Sequence, residues 1–232
     1  VREVVFDTET TGLSATGGDR LVEIGCVELI DRCETGRVFH AYLNPERPMP
    51  AEAEAVHGLS DAFLSDKPLF ADIAKEFLAF LGSDAPLIAH NASFDFGFVN
   101  AELARIDQPP LAPERMVDTV AMARRLHPGG KHSLDALCTR YGVDRSHRIK
   151  HGALLDAELL ANLYIEMTGG RQIGLGLTAT VTEVEAIEET GAARCTVGAW
   201  RAPRPHAASP AERERHAAFV SRIKGALWTA AT

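Results

Sequence analysis

The order of the apolar patterns along the chain constrains its fold most. Arg2–Asp7 reads as a short buried strand, and the turn-prone Thr10-Thr11-Gly12 follows it. Leu21–Ile30 and Arg37–Leu43 are rich in Val, Ile, Leu, Phe and Tyr. Separated by a polar stretch with Gly36, they read as the second and third strands of a meander. The period then changes. Asp66-Lys67-Pro68 opens a helix with Phe70, Ile73, Ala74, Phe77, Leu78 and Leu81 at three- and four-residue spacing, and Gly82 stops it. Pro86–Ala89 is a brief apolar strand that runs into His90-Asn91-Ala92-Ser93 and a helix bearing Phe94, Phe98 and Leu103. Met116–Thr119 reads as a last central strand. Helical patterns follow near 119–126, 133–141 and 152–167, with Ser133 and Gly142 bounding the second and Gly169 ending the third. A meander followed by strands alternating with helices predicts an α/β domain over residues 1–170, a mixed sheet flanked by helices.

Composition narrows the class. The 232 residues are 46% hydrophobic and 24% charged, which argues against collagen, coiled-coil and wholly disordered chains. Nothing approaches the roughly 20 apolar residues that span a bilayer. The start lacks the basic-then-apolar secretory pattern, so a cytoplasmic protein with no membrane role is expected. Cys26, Cys33, Cys138 and Cys195 have no metal-ligand spacing and read as reduced, mostly packed thiols. The formal charge of −8 leaves no basic surface to grip long duplex DNA. A nucleic-acid role therefore calls for short contacts, metal ions or a partner that holds the substrate.

Past Gly169-Gly170 the character changes. Residues 178–232 hold six Glu and seven Lys or Arg, about +1, which leaves about −9 on residues 1–177. Four clustered glutamates (Glu183, Glu185, Glu188, Glu189), two prolines and many alanines make 178–208 read as a flexible linker. Ser209-Pro210-Ala211-Glu212 is a capping box with Pro at the first helical position. His216, Phe219, Val220 and Ile223 then share one helical face, with Leu227 and Trp228 beyond. A short amphipathic helix over 209–232 either folds back on its own domain or docks on a partner, and docking is the expectation.

The chemistry lies in carboxylates. Asp7-Thr8-Glu9 ends an apolar strand, and side chains two apart share a face, so two acids stand side by side. Such a pair repels unless a cation sits between them, and hard oxygen ligands suit Mg²⁺ or Mn²⁺. Asp95 lies in the first turn of a helix after a short strand. His151-Gly152-Ala153-Leu154-Leu155-Asp156 is the third segment. Residues five apart on a helix diverge by about 140°, so His151 and Asp156 converge only if Gly152 ends a loop and Asp156 alone is helical. Four acids and a histidine from three segments fit a two-metal phosphodiesterase in which the histidine takes a proton from the attacking water.

These three segments resemble the motifs of the DnaQ-like (DEDDh) 3′→5′ exonucleases, which have a ribonuclease-H-like fold. The similarity spans residues 1 to about 170 and includes Val56-His57-Gly58-Leu59, Ser133-Leu134-Asp135-Ala136-Leu137-Cys138 and Met167-Thr168-Gly169-Gly170. The resemblance implies that Asp7, Glu9 and Asp156 bind two Mg²⁺ or Mn²⁺ directly, that Asp95 completes the site, and that His151 is the general base. It matches Glu52 and His57 to contacts with the terminal nucleotide. Read from the residues alone, Glu52 is equally an exposed acid in a loop. Leu13 is either a wedge against the last bases or core, and Asp118 reads as structural at a strand end.

The same resemblance, to the proofreading branch of the family, implies a single-stranded or mispaired DNA 3′ end as substrate. A frayed end enters an acidic pocket more cheaply than a paired one. Gln172-Ile173-Gly174-Leu175-Gly176-Leu177 resembles a sliding-clamp-binding peptide over 171–177, although a plain linker start fits it too. Phe219, Ile223, Leu227 and Trp228 resemble a segment that docks on a polymerase catalytic subunit. A tether between two attachments raises the local exonuclease concentration. An RNA-trimming exoribonuclease of the same family and a mainly structural stabiliser of a polymerase assembly are the alternatives.

Overall fold

Strand β1 (Arg2–Thr10) is the middle of the sheet and explains the rest of it. Its residues Val4, Val5 and Phe6 are wholly buried, so both of its faces must be covered. The computed structural model describes residues 1–146, 148, 150–170 and 208–223. Two units are distinguished, Val1–Leu177 and Thr178–Thr232.

In the first unit β1 pairs antiparallel with β2 (Leu21–Ile30), which pairs antiparallel with β3 (Cys33–Tyr42). On its other side β1 runs parallel to β4 (Leu87–Ala89), followed by β5 (Met116–Asp118), giving the order β3-β2-β1-β4-β5. The helices of the unit are α1 (Ala51–His57), α2 (Asp61–Leu64), α3 (Phe70–Leu81), α4 (Ala92–Arg105), α5 (Thr119–Leu126), α6 (Leu134–Tyr141) and α7 (Ala153–Met167).

Strand alternation divides the core in two. Val4 and Phe6, with Ile24 and Cys26 of β2, pack against Phe70, Phe77 and Leu81 of α3 and Phe96 and Leu103 of α4. Val5, with Val27 and Leu29, packs against Ala123 of α5, Leu137 of α6 and Leu160 and Leu163 of α7. Fully burying a side chain such as Phe6 or Phe77 contributes about 1.5–3 kcal/mol. Arg20 ties the β1–β2 loop to α4 through bonds of 2.6 and 3.0 Å to the buried Glu102.

The expected mixed sheet and the helices near 119–126, 133–141 and 152–167 are present. The starts of β3 and α3 differ most from expectation. The β2–β3 turn is the two-residue Asp31-Arg32, both at positive φ, so β3 starts at Cys33 rather than Arg37. Gly36, at φ 80, sits where the pairing register shifts. The helix expected to open at Asp66 starts at Phe70, where the Asp72 carboxylate accepts the Leu69 N–H at 2.9 Å. Helices α1 and α2 lie where no element was expected, being too short to show a period. Cys26 and Cys138 are buried and free as expected, whereas Cys33 is exposed.

In the second unit the described residues form α8 (Pro210–Val220). The capping box forms: Glu212 accepts the Ser209 N–H at 2.8 Å and the Ser209 hydroxyl accepts the Glu212 N–H at 3.3 Å. The helix stops at Val220, so Ile223 lies past it in a turn and does not continue the helical face expected to include it. Phe219 and Ile223 are both exposed. Gln172, Leu175, Leu177, Leu227, Trp228 and most of the expected 178–208 linker lie outside the described residues. No helix among the described residues is long and apolar enough to cross a membrane.

Candidate active site

In the β1–β2 ladder Asp7 stands opposite Gly25 and Glu9 opposite Glu23, so these four positions share a sheet face. Gly25 shows which face it is. A Cβ there would lie 2.2–2.4 Å from the backbone of Ala153 and Leu154, so the first turn of α7 rests directly on β2. Two residues later in that turn the Asp156 N–H bonds the Gly152 carbonyl at 2.9 Å, and the buried Asp156 carboxylate comes over β1. Gly152 is extended at the helix start and His151 precedes it, the loop geometry under which the two side chains can meet. They do meet: His151 Nδ1 is 3.3 Å from Asp156 Oδ2, with the imidazole half-exposed.

Asp95 arrives from α4. The helix is entered through Asn91, held in the left-handed region at φ 68. Asp118 holds that strained entry, its Oδ1 accepting N–H bonds from Asn91 at 3.0 Å, Ala92 at 3.4 Å and Val120 at 3.0 Å. Asp118 is therefore structural, as expected, and it also caps α5. Thr8 Oγ1 donates to Asp95 Oδ1 at 2.7 Å, fixing that carboxylate against β1.

All five expected groups, Asp7, Glu9, Asp95, His151 and Asp156, line one cavity of about 280 Å³. Ligand atoms of Glu9, His151 and Asp156 lie within 4.8 Å of one another. Burial, and then the charges of Asp95, Glu9 and Asp156, push Asp7 well above the ordinary carboxylate range. Glu9 is pushed up to about 8, by burial first and then by Asp156 and Glu23. Burial raises Asp95 to about 7 against the opposing hydrogen bond from Thr8. A divalent cation among these oxygens would remove both the repulsion and the unmet solvation, and the all-carboxylate donor set with one imidazole fits Mg²⁺ or Mn²⁺.

Sequence reasoning missed one residue of this cavity. Arg148 reaches Asp156 with Nε at 2.5 Å and Nη2 at 2.6 Å, and Asp135 with Nη1 at 2.9 Å. The same Nη2 lies 2.8 Å from His151 Nδ1. Its only signal in the sequence is its position three residues before His151.

A second cavity of about 530 Å³ shares Thr8, Glu9 and Phe94 with the first and is lined further by Leu13, Glu52, Val56 and His57. Glu52 occupies the first turn of α1, not the loop that the residues alone suggested. His57 is buried, and burial lowers its pKa, so it is neutral near pH 7. Its Nδ1 accepts the Leu59 N–H at 3.0 Å, which puts the ring proton on Nε2. That buried Nε2 has no hydrogen-bond partner among the described residues. Leu13 is 88% exposed at the same cavity, which rules out a core role.

A helix-flanked mixed sheet that gathers mutually repelling carboxylates beside a half-exposed histidine defines a nuclease of ribonuclease-H-like fold. Residues 4–164 match the family model described as exonuclease, and the chain belongs to that DnaQ-like exonuclease family. DNA polymerase III subunit epsilon of Rickettsia felis is 45% identical over 226 residues, covering 96% of this chain and 97% of that protein. The Escherichia coli K12 protein of the same name is 48% identical over 177 residues, covering 73% and 72%. Among solved structures, exonuclease X in complex with 5′ overhanging duplex DNA has a TM-score of 0.58 at 31% identity, covering 71% of this chain and 90% of that one. The nuclease domain of 3′hExo, a DEDDh family member bound to rAMP, has a TM-score of 0.63 over 72% and 91%; at 17% identity it shows the fold. The protein is a 3′→5′ exonuclease, a phosphodiester hydrolase, from a family that generally uses two divalent metal ions.

Proposed function

We propose that this exonuclease proofreads for a bacterial replicative polymerase of the DNA polymerase III type, removing single-stranded or mispaired DNA 3′ ends as nucleoside 5′-monophosphates. The observation that carries the reading is the gathering of Asp7, Glu9, Asp95, His151 and Asp156 in one cavity. The resemblance along 96% of the chain to a subunit named polymerase III epsilon supports the setting.

Asp7, Glu9 and Asp156 would hold Mg²⁺ or Mn²⁺ directly, with Asp95 completing the site. When bound, two such ions supply an activated water and stabilise the departing oxygen of an in-line displacement. His151 accepts the proton of the attacking water on a ring nitrogen, and its half-exposed position lets it pass that proton to solvent. The terminal nucleotide occupies the second cavity. There the Nε2–H of His57 donates to it, Glu52 contacts it, and the exposed Leu13 wedges against the last bases. A frayed end enters such an acidic cavity more cheaply than a paired one, so a mismatch is selected by its cheaper fraying and needs no direct reading.

The net negative charge favours delivery by a partner. Phe219, Ile223, Leu227 and Trp228 are the proposed contact with the polymerase alpha subunit, and Gln172, Leu175 and Leu177 the proposed contact with the clamp. The test is digestion of 5′-labelled DNA with matched or mismatched 3′ ends, and of an RNA oligonucleotide, with Mg²⁺ or Mn²⁺ and with or without the alpha subunit. Faster removal of the mismatched end, accelerated by alpha, is expected. Preferential trimming of RNA, or indifference to alpha, would overturn the proofreading assignment.

A further inference from the structure

Arg148 brings one positive charge into a cavity lined by five carboxylates: Asp7, Glu9, Asp95, Asp135 and Asp156. Among the described residues lining that cavity it is the one Arg or Lys. Its guanidinium edge engages both oxygens of Asp156, at 2.5 and 2.6 Å, in the fork geometry that makes Arg–carboxylate pairs strong. The pair is secluded, with side-chain exposures of 9% for Arg148 and 4% for Asp156, so water screens it little. The remaining nitrogen, Nη1, reaches Asp135 on α6 at 2.9 Å. Arg148 therefore has a second carboxylate on which to stay if it leaves Asp156.

We propose that Arg148 is the resident counter-cation of the site: it neutralises Asp156 and positions His151 in the metal-free enzyme, and an incoming divalent ion must displace it to load. The inference rests on the reading of Asp156 as a metal ligand. A guanidinium on both oxygens of Asp156 takes up a lone pair on each and neutralises the charge an ion would seek, and two cations sharing those oxygens would repel at close range. Exchange solves both problems. The ion takes Asp156, Arg148 stays on Asp135, and the buried carboxylate is never left without a positive partner. The contact between Nη2 and His151 Nδ1 couples the exchange to the general base, since one of the two nitrogens that let go of Asp156 is also the one beside the imidazole.

The test measures Mn²⁺ binding by electron paramagnetic resonance on the full, chelator-stripped chain. Arg148→Met should bind Mn²⁺ about tenfold tighter than wild type, the value of one charge-assisted contact pair. Its metal-free form should melt several degrees lower, while the Mn²⁺-saturated proteins melt alike. Should the methionine variant fail to fold, Arg148→Lys carries the test, because a single-point ammonium grips Asp156 less well and should also tighten binding. Unchanged or weaker Mn²⁺ binding in a folded variant would overturn the exchange. Asp156→Asn separates the two readings: if it binds Mn²⁺ as tightly as wild type, the ligand assignment fails and the exchange with it, whereas weakened binding in Asp156→Asn beside unchanged binding in Arg148→Met overturns the exchange alone.

Discussion

Asp7 stands directly opposite Gly25 in the β1–β2 ladder, and the side chain that Gly25 lacks is the space into which the first turn of α7 descends. A carboxylate on one strand and a bare backbone on its neighbour thus work together. The first supplies a candidate ligand, and the second lets Asp156 approach it from a helix 149 positions away in sequence.

Replacing Gly25 with Ala should therefore damage the site from outside it. The new methyl would fall within 2.4 Å of helix backbone, which cannot rotate aside. A stability loss of about 1–3 kcal/mol is expected. Because an ångström of misplacement costs about 10²-fold in rate, hydrolysis should fall that far in protein that remains folded. Denaturant melts and single-turnover digestion measure the two effects separately.

Asp7→Ala should abolish most activity, by at least about 10³-fold, with the fold intact, since it removes a proposed metal ligand and relieves burial of a repelled charge. His151→Gln should cost about 10²–10⁴-fold, the usual worth of a general base. Digestion of a 5′-labelled single strand by either variant at the wild-type rate would sink the assignment.

Stability without metal should depend on pH through Glu9 and Asp95. Their folded values, about 8 and about 7, lie above the ordinary 4.5 and 3.8. Such groups favour the folded state while protonated, and that contribution disappears as pH rises through the folded values. The chelated protein should accordingly melt lower at pH 8.5 than at pH 7, a window above the ordinary histidine range. Added Mn²⁺ should raise the melting temperature more at the higher pH. Equal shifts at both would contradict metal binding at these carboxylates.

Asp118→Ala should cost about 2 kcal/mol, from a lost helix cap and a released Asn91 entry to α4. Adding Asn91→Gly should recover part of it, because glycine tolerates φ 68. Chemical denaturation of the single and double variants tests the coupling.

Truncation after Gly170 should leave cleavage intact and remove polymerase binding. Co-elution of the truncated chain with the alpha subunit would refute docking through the tail.

Much of this was legible before any coordinates. Helix α5 covers the residues its period indicates, and α6 and α7 begin one residue after their expected starts, because each carries a full apolar stripe between a cap and a stop. The capping box at Ser209 also forms as read. The short α1 and α2 have too few turns to show a period, so Glu52 reads as a loop residue until its helix is seen. The Asp31-Arg32 turn escaped notice because its left-handed backbone falls on two residues that carry no glycine signal.

The sequence by itself determined the inventory: which acids exist, that Asp7 and Glu9 share a face, and that Asp156 is helical while His151 is not. Those are local facts, set by the two-residue strand repeat and by the glycine before α7. Only the tertiary structure decided which groups meet. Arg148 on Asp156, the buried Nε2 of His57 and the seat that Gly25 gives to α7 depend on distances between segments far apart in the chain. Packing sets such distances, and no local pattern encodes them.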